Sequence, residues 1–144
     1  GNIHDNGTIE VTSNSTIKSD RNLAKNLLDF NEKAHYQACP DDSWVCFDFK
    51  NRKVKITNYS IKSYNSNFGH LKSWDIEVSN DNKNWTKIDE RRNCPTLNKS
   101  KIVGTFEVRP NNFSRYVRLH QTDEPWVDSN LWFYYMEFYG FLQE

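Results

Sequence analysis

The feature that most constrains this chain is an alternation of period two that recurs in separate stretches. In Ser43–Phe49 (SWVCFDF), Val45, Phe47 and Phe49 share one face, while Trp44, Cys46 and Asp48 share the other. Trp74, Ile76 and Val78 repeat the pattern within Leu71–Trp85. Val117 and Leu119 repeat it within Arg115–Gly140, followed by a nearly all-apolar run, Leu131–Phe141, whose two faces are both expected to be covered. Such spacing builds strands, because alternate side chains of an extended backbone point to opposite faces. Val54 and Ile56 carry one parity, and Tyr59 and Ile61 the other. A bulge near Thr57–Asn58 is therefore predicted, since a one-residue slip would otherwise send core side chains to solvent.

Between these runs lie turn signals. Asn80–Asn84 (NDNKN) predicts a hairpin, because Asn and Asp side chains bond their own backbone and tolerate left-handed conformations. Trp85 and Ile88 return on its second strand, with Trp85 expected to plug the sandwich end beside Trp74. Ile9 and Val11 mark a short opening strand, and Phe106 and Val108 point inward from Val103–Val108. One short helical turn, Leu23–Phe30, is predicted behind an Asn22 cap. About eight strands and a single helical turn define an all-β fold, an antiparallel jelly-roll sandwich.

A chain of 144 residues suits one domain. Residues 1–8 are expected to be a disordered or tag-derived start, with Gly1 as a trimming scar, and residues 9–142 form the domain. Only 36% of residues are hydrophobic but 15% are aromatic. Large rings, each burying about 150–250 Å², can supply the core. Lys plus Arg and Asp plus Glu are equal at 19, and the basic run Lys50–Lys55 alternates along a strand. No nucleic-acid partner is expected. No apolar run reaches the length of a transmembrane helix.

Catalytic motifs are absent: there is no GxSxG, P-loop, GxGxxG or HExxH, and His4, His35, His70 and His120 are scattered. A Cys39–His35 pair is the one nucleophilic arrangement left open. Cys39, Cys46 and Cys94 are an odd number without CxxC spacing; Cys46 reads as a small buried hydrophobe. A Cys39–Cys94 bridge is allowed but unsupported, and the cysteine usage leans to a reducing, cytoplasmic compartment, with the cell surface as the alternative. Asn6, Asn14, Asn58, Asn84, Asn98 and Asn112 each fit the N-glycosylation pattern. In a chain this rich in Asn, Ser and Thr they read as composition.

Taken in order, WVCFDF, VKITNYSIKS, LKSWDIEVSNDNKNWTKID, FSRYVRLHQT and MEFYGFL resemble the discoidin, or coagulation factor type C, domain of the galactose-binding-like fold. The likeness runs from Ile9 to Leu142 and is nearest to the intracellular eukaryotic branch, abundant in protists and often joined to BTB adaptor domains. It implies a non-catalytic accessory module binding a protein partner, with carbohydrate binding as the alternative and phospholipid binding below both. It implies no cofactor, although many glycan-binding relatives hold a calcium, for which Asp29 and Glu137 stand at matching places. It gives structural roles to Asp48, Arg118 and Gly140, the last allowing close approach of the final strand to its neighbour. Secreted members pair cysteines at the domain ends; none of the three cysteines here lies at an end. The isolated domain is expected to be monomeric.

In this family ligands meet the loops at one end of the sandwich. The matching loops are Asn31–Asp42, Tyr64–His70, Glu90–Lys101 and Gln121–Asn130. The candidate binding residues in them are His35, Tyr36, Phe68, His70, Arg91, Arg92 and Trp126. Tyr36 and Trp126 offer aromatic contact area, and the arginines offer forked donors to a carboxylate or hydroxyl-rich ligand.

Overall fold

The computed structural model describes residues 9–14, 36–38, 43–127 and 130–143. Nine strands lie within them. A five-stranded antiparallel sheet runs in the order β1 (Glu10–Ser13), β3 (Trp44–Asp48), β8 (Tyr116–Gln121), β5 (Trp74–Ser79), β6 (Thr86–Arg91). A four-stranded antiparallel sheet runs in the order β2 (Tyr36–Ala38), β9 (Leu131–Gln143), β4 (Lys53–Ser63), β7 (Val103–Glu107). The two sheets form an all-β sandwich. The helical turn expected at Leu23–Phe30 lies outside the described residues.

The parity reading is realised residue by residue. Val45, Phe47 and Phe49, then Trp74, Ile76 and Val78, then Val117 and Leu119, are all buried. Each such apolar side chain stabilises the fold by about 1.5–3 kcal/mol. The sheets are joined ring to ring: Phe47 meets Phe138 edge-on at 4.9 Å, and Trp74 meets Phe106 at 5.3 Å. The bulge predicted near Thr57–Asn58 is present, as the β4–β9 register shifts between Ile56 and Asn58. It lets Val54 and Ile56 on one side, and Tyr59 and Ile61 on the other, all enter the core. Opposite it stands Gly140, with φ 154°, where a Cβ would collide with the Lys55 carbonyl. Glycine is required there by both backbone angle and space.

Two expectations about aromatic residues are corrected. Trp85 does not plug the core beside Trp74. It sits half-buried against the outer face of the five-stranded sheet, with the Arg118 guanidinium 4.1 Å from its ring and Tyr116 at 6.4 Å. The β5–β6 register explains this: Val78 faces Thr86, so the preceding residue falls on the outer side. Nor is β9 covered throughout. Leu131, Phe133, Tyr134 and Met136 are buried, whereas Tyr139, Phe141 and Leu142 are exposed.

A polar chain runs through the core beneath β6. The Trp74 indole N–H donates to Tyr59 Oη at 2.7 Å, Tyr59 donates to Asp89, and Arg91 Nε donates to the same Asp89 oxygen at 3.0 Å. Burial, followed by the Asp89 carboxylate, pushes the Tyr59 phenol far above its ordinary range.

Candidate functional site

Three segments meet at the end of the sandwich where β5 begins and β8 finishes. Residues 64–73 and 122–127 are tied by backbone hydrogen bonds. Gly69 donates to the Trp126 carbonyl at 2.8 Å, and Trp126 donates to the His70 carbonyl at 2.9 Å. Residues 92–97 join through Cys94 N–H to the Lys72 carbonyl at 2.9 Å and Asn93 N–H to Ser73 Oγ at 2.9 Å. These loops are therefore braced by the same kind of bonds that brace a sheet, and the side chains they carry are held in place before any ligand arrives.

Trp126 is the centre of this end. Its indole N–H donates to the Cys94 carbonyl at 3.3 Å, and the Lys72 ammonium lies 5.0 Å from its ring centroid. The ring is half-buried, with one edge anchored and a cation against its π system. Lys72 is also 3.8 Å from Asp123 Oδ2. Phe68 is 46% exposed and Val127 81% exposed, so apolar surface faces solvent on both of the loops joined through Trp126. Tyr64 and Trp132 stack at 5.5 Å just below, and Gly69 leaves room for the Trp132 ring, which a Cβ would strike.

The other candidates are placed differently. His70 shares the loop but is buried, with Nε2 3.3 Å from Ser66 Oγ; burial pushes its pKa below the ordinary 6.5. It braces the loop from within. Tyr36 is not an exposed loop residue: it lies in β2, is buried, and packs edge-on to Phe133 at 5.4 Å. His35 lies outside the described residues, as do Cys39 and the proposed calcium ligand Asp29. Arg91 does not reach toward a ligand. It spans the sandwich flank, bonding Asp89 and the Glu107 carbonyl with its guanidinium 4.9 Å from the Phe106 ring. Arg92 pairs with Asp75 at 2.9 Å and donates to the Trp74 carbonyl at 3.1 Å. Both arginines are occupied: Arg91 by Asp89 two residues before it on β6, and Arg92 by Asp75 of β5, a pairing set by register and invisible in the local sequence.

Lys72, Asp123 and Trp132 are the residues at this end that sequence reasoning missed. Trp132 and Gly69 had a signal, an aromatic residue just after the Gln121–Asn130 loop and a glycine inside the Tyr64–His70 loop. Lys72 had none, since one lysine after a loop resembles any other.

Cation binding is weighed on two groups. Asp75, Glu77 and His120 bring ligand atoms within 4.8 Å of one another on the outer face of the five-stranded sheet. Their charge is already matched: Lys87 and Arg92 pair with Asp75, and Arg118 with Glu77 at 3.0 Å. This group is an ion-pair ladder, in which a metal would have to displace three side-chain cations. Glu137 accepts a hydrogen bond from Tyr139 Oη at 2.9 Å, and one carboxylate falls far short of the six to eight oxygens calcium takes. Among the described residues Cys46 and Cys94 are free thiols, and burial pushes Cys46 up to about 12. That thiol is inert toward nucleophilic chemistry at neutral pH. No helix among the described residues is long and apolar enough to cross a membrane.

The five-and-four-stranded sandwich with loops braced at one end is the architecture of a galactose-binding-like domain. The chain belongs to the F5/8 type C domain family, whose pattern matches residues 9–138. It is similar in structure to CpGH89CBM32-5 from Clostridium perfringens, solved in complex with GalNAc-β-1,3-galactose, at 16% identity and TM-score 0.77 over 93% of this chain and 96% of that one. It is similar to CpGH89CBM32-6 of the same organism at 25% identity and TM-score 0.69, over 98% and 100% of the chains. The family 32 carbohydrate-binding module of C. perfringens NanJ, solved with galactose, aligns at 11% identity and TM-score 0.70 over 92% and 93%. A search of curated proteins returned no match.

Proposed function

We propose that this chain is a non-catalytic carbohydrate-binding module whose ligand is a galactose-type sugar held at the loop end. The carrying observation is the half-exposed Trp126 ring, anchored by its indole N–H, on loops already braced to one another and carrying exposed Phe68. A flat indole offers the C–H face of a pyranose a stacking surface. Lys72, Asp123 and the exposed Asn65, Asn67 and Asn93 supply donors and acceptors around it for hydroxyl groups. The structural relatives solved with galactose and with GalNAc-β-1,3-galactose support the same class.

A glycan array run beside a pull-down tests this. Saturable binding of galactose-type glycans, weakened at least about tenfold by Trp126→Ala or Phe68→Ala with the melting temperature retained, is the expected result. No array signal at millimolar sugar would overturn it. A protein partner at the same loops is the second reading, favoured by the 46% and 81% exposure of Phe68 and Val127. In that case the pull-down captures a discrete protein whose binding the same variants abolish.

A further inference from the structure

A cavity opens at the opposite end from the loops. Where β5 turns into β6, the mouth between the two sheets opens as a cleft of about 490 Å³. That size falls within the range of small-molecule sites, about 300–1,000 Å³. Its lining combines apolar Val78 and Ile88 with Asn84, Thr86, Arg109 and Asn112. Val78 and Ile88 are buried core residues, whereas the other four are exposed.

Several polar groups of the cleft are committed to the fold. Asp81 accepts from Lys83 N–H, Asn84 N–H and Asn84 Nδ2 and so shapes the turn. Asn111 is bound on both sides to the Ile56 backbone, N–H and carbonyl, at the β4 bulge. Lys87 turns outward to Glu90 and Asp75. What remains for a ligand is the Asn112 amide, the Thr86 hydroxyl, the Asn84 amide oxygen and the Arg109 guanidinium. Arg109 donates to the Lys87 carbonyl at a long 3.4 Å, and the one carboxylate among the described residues shown to feel its charge, Glu90, is already bound by Lys87. A guanidinium left with open forked donors at the rim of a cleft selects a planar anion, for which a carboxylate is the natural partner. The neighbouring amides and hydroxyl suit sugar hydroxyls.

We propose that this cleft is a second binding site, specific for a carboxylate-bearing sugar of uronic acid type, with Arg109 receiving the carboxylate. It stands independently of the loop-end reading, because no residue is shared between the two ends.

The test is an NMR titration of the 15N-labelled domain with galacturonic and glucuronic acids, each beside neutral galactose. The expected result is saturable shifts of the Thr86, Arg109 and Asn112 amides with the uronic acids. Neutral galactose moves them at least about tenfold less. Arg109→Gln weakens the uronic acid response at least about tenfold while leaving the spectrum of the core intact. Asn112→Asp, an exposed substitution that adds a negative charge to the cleft, weakens it as well, whereas Trp126→Ala does not. Overturning results are equal shifts with galactose, a response unchanged in Arg109→Gln, or a response lost only in Trp126→Ala, which would place the acidic sugar at the loop end.

Discussion

At the scale of single residues, two buried polar groups set measurable limits on stability. Tyr59 Oη receives the Trp74 indole N–H and donates to Asp89. Tyr59→Phe removes one atom and leaves the Trp74 indole N–H without its acceptor in the core, while Asp89 keeps its bond from Arg91. The expected loss is about 2–3 kcal/mol in urea denaturation, since orphaning a buried polar group costs more than the bond itself is worth. A loss below about 0.5 kcal/mol would show that water reaches the pair. His70 fixes a pH dependence. Burial lowers its pKa in the folded state below 6.5, so the unfolded chain takes the proton first. Stability is then fully present above about pH 6.5 and falls as pH drops through that value toward the lowered folded pKa. Asp48 adds the same sign at more acidic pH. Burial alone would raise it, but Arg115 and the Lys50 N–H hold its carboxylate below the ordinary 3.8. Thermal melts between pH 7.5 and 5 should show a decline that His70→Gln flattens; parallel curves would remove His70 from the account.

At the scale of elements, the β4–β9 pair shows how much of the structure was legible. The parity change from Val54 and Ile56 to Tyr59 and Ile61 placed the bulge within two residues, because burial on one face makes register a sequence property. Gly140 sits across from it. Gly140→Ala would force a side chain into the Lys55 carbonyl at a φ of 154°, and a cost of about 2–3 kcal/mol is expected in denaturation. A neutral result would mean that the bulge relaxes freely. Features that depend on the register between distant strands were not legible. β2 is three residues long, too short for a period, so buried Tyr36 looked like a loop residue. Arg92 looked available for a ligand because Asp75 is brought to it only by β5–β6 pairing, whereas Asp89 stands two residues before Arg91 on the same strand and that pair was there to be read. Trp85 looked like a core plug because its cover, Arg118, comes from β8. The loop end itself was foreseeable as an end, and Trp126 as its aromatic. The bracing through Lys72, Gly69 and Cys94 was not, as it consists of backbone bonds between segments far apart in sequence.

At the scale of the whole molecule, the two ends of the sandwich carry different chemistry on one rigid frame. The loop end presents Trp126 with Lys72 against its ring, and the hairpin end presents an open cleft beside Trp85, whose neighbours Asn84 and Thr86 line it. Each end therefore has its own indole with a cation over or beside the ring, Lys72 in one case and Arg118 in the other. A nearby cation alters the emission of an indole, so the molecule carries built-in optical reporters for both ends. A sugar that slides onto Trp126 must change the placement of Lys72, and the tryptophan emission should change with it. That change should vanish in Trp126→Phe and persist in Trp85→Phe; the reverse pattern would assign the bound sugar to the cleft. The deeply buried Trp74, sealed by Tyr59 and Phe106, should report neither event and brighten or shift only when the sandwich itself comes apart.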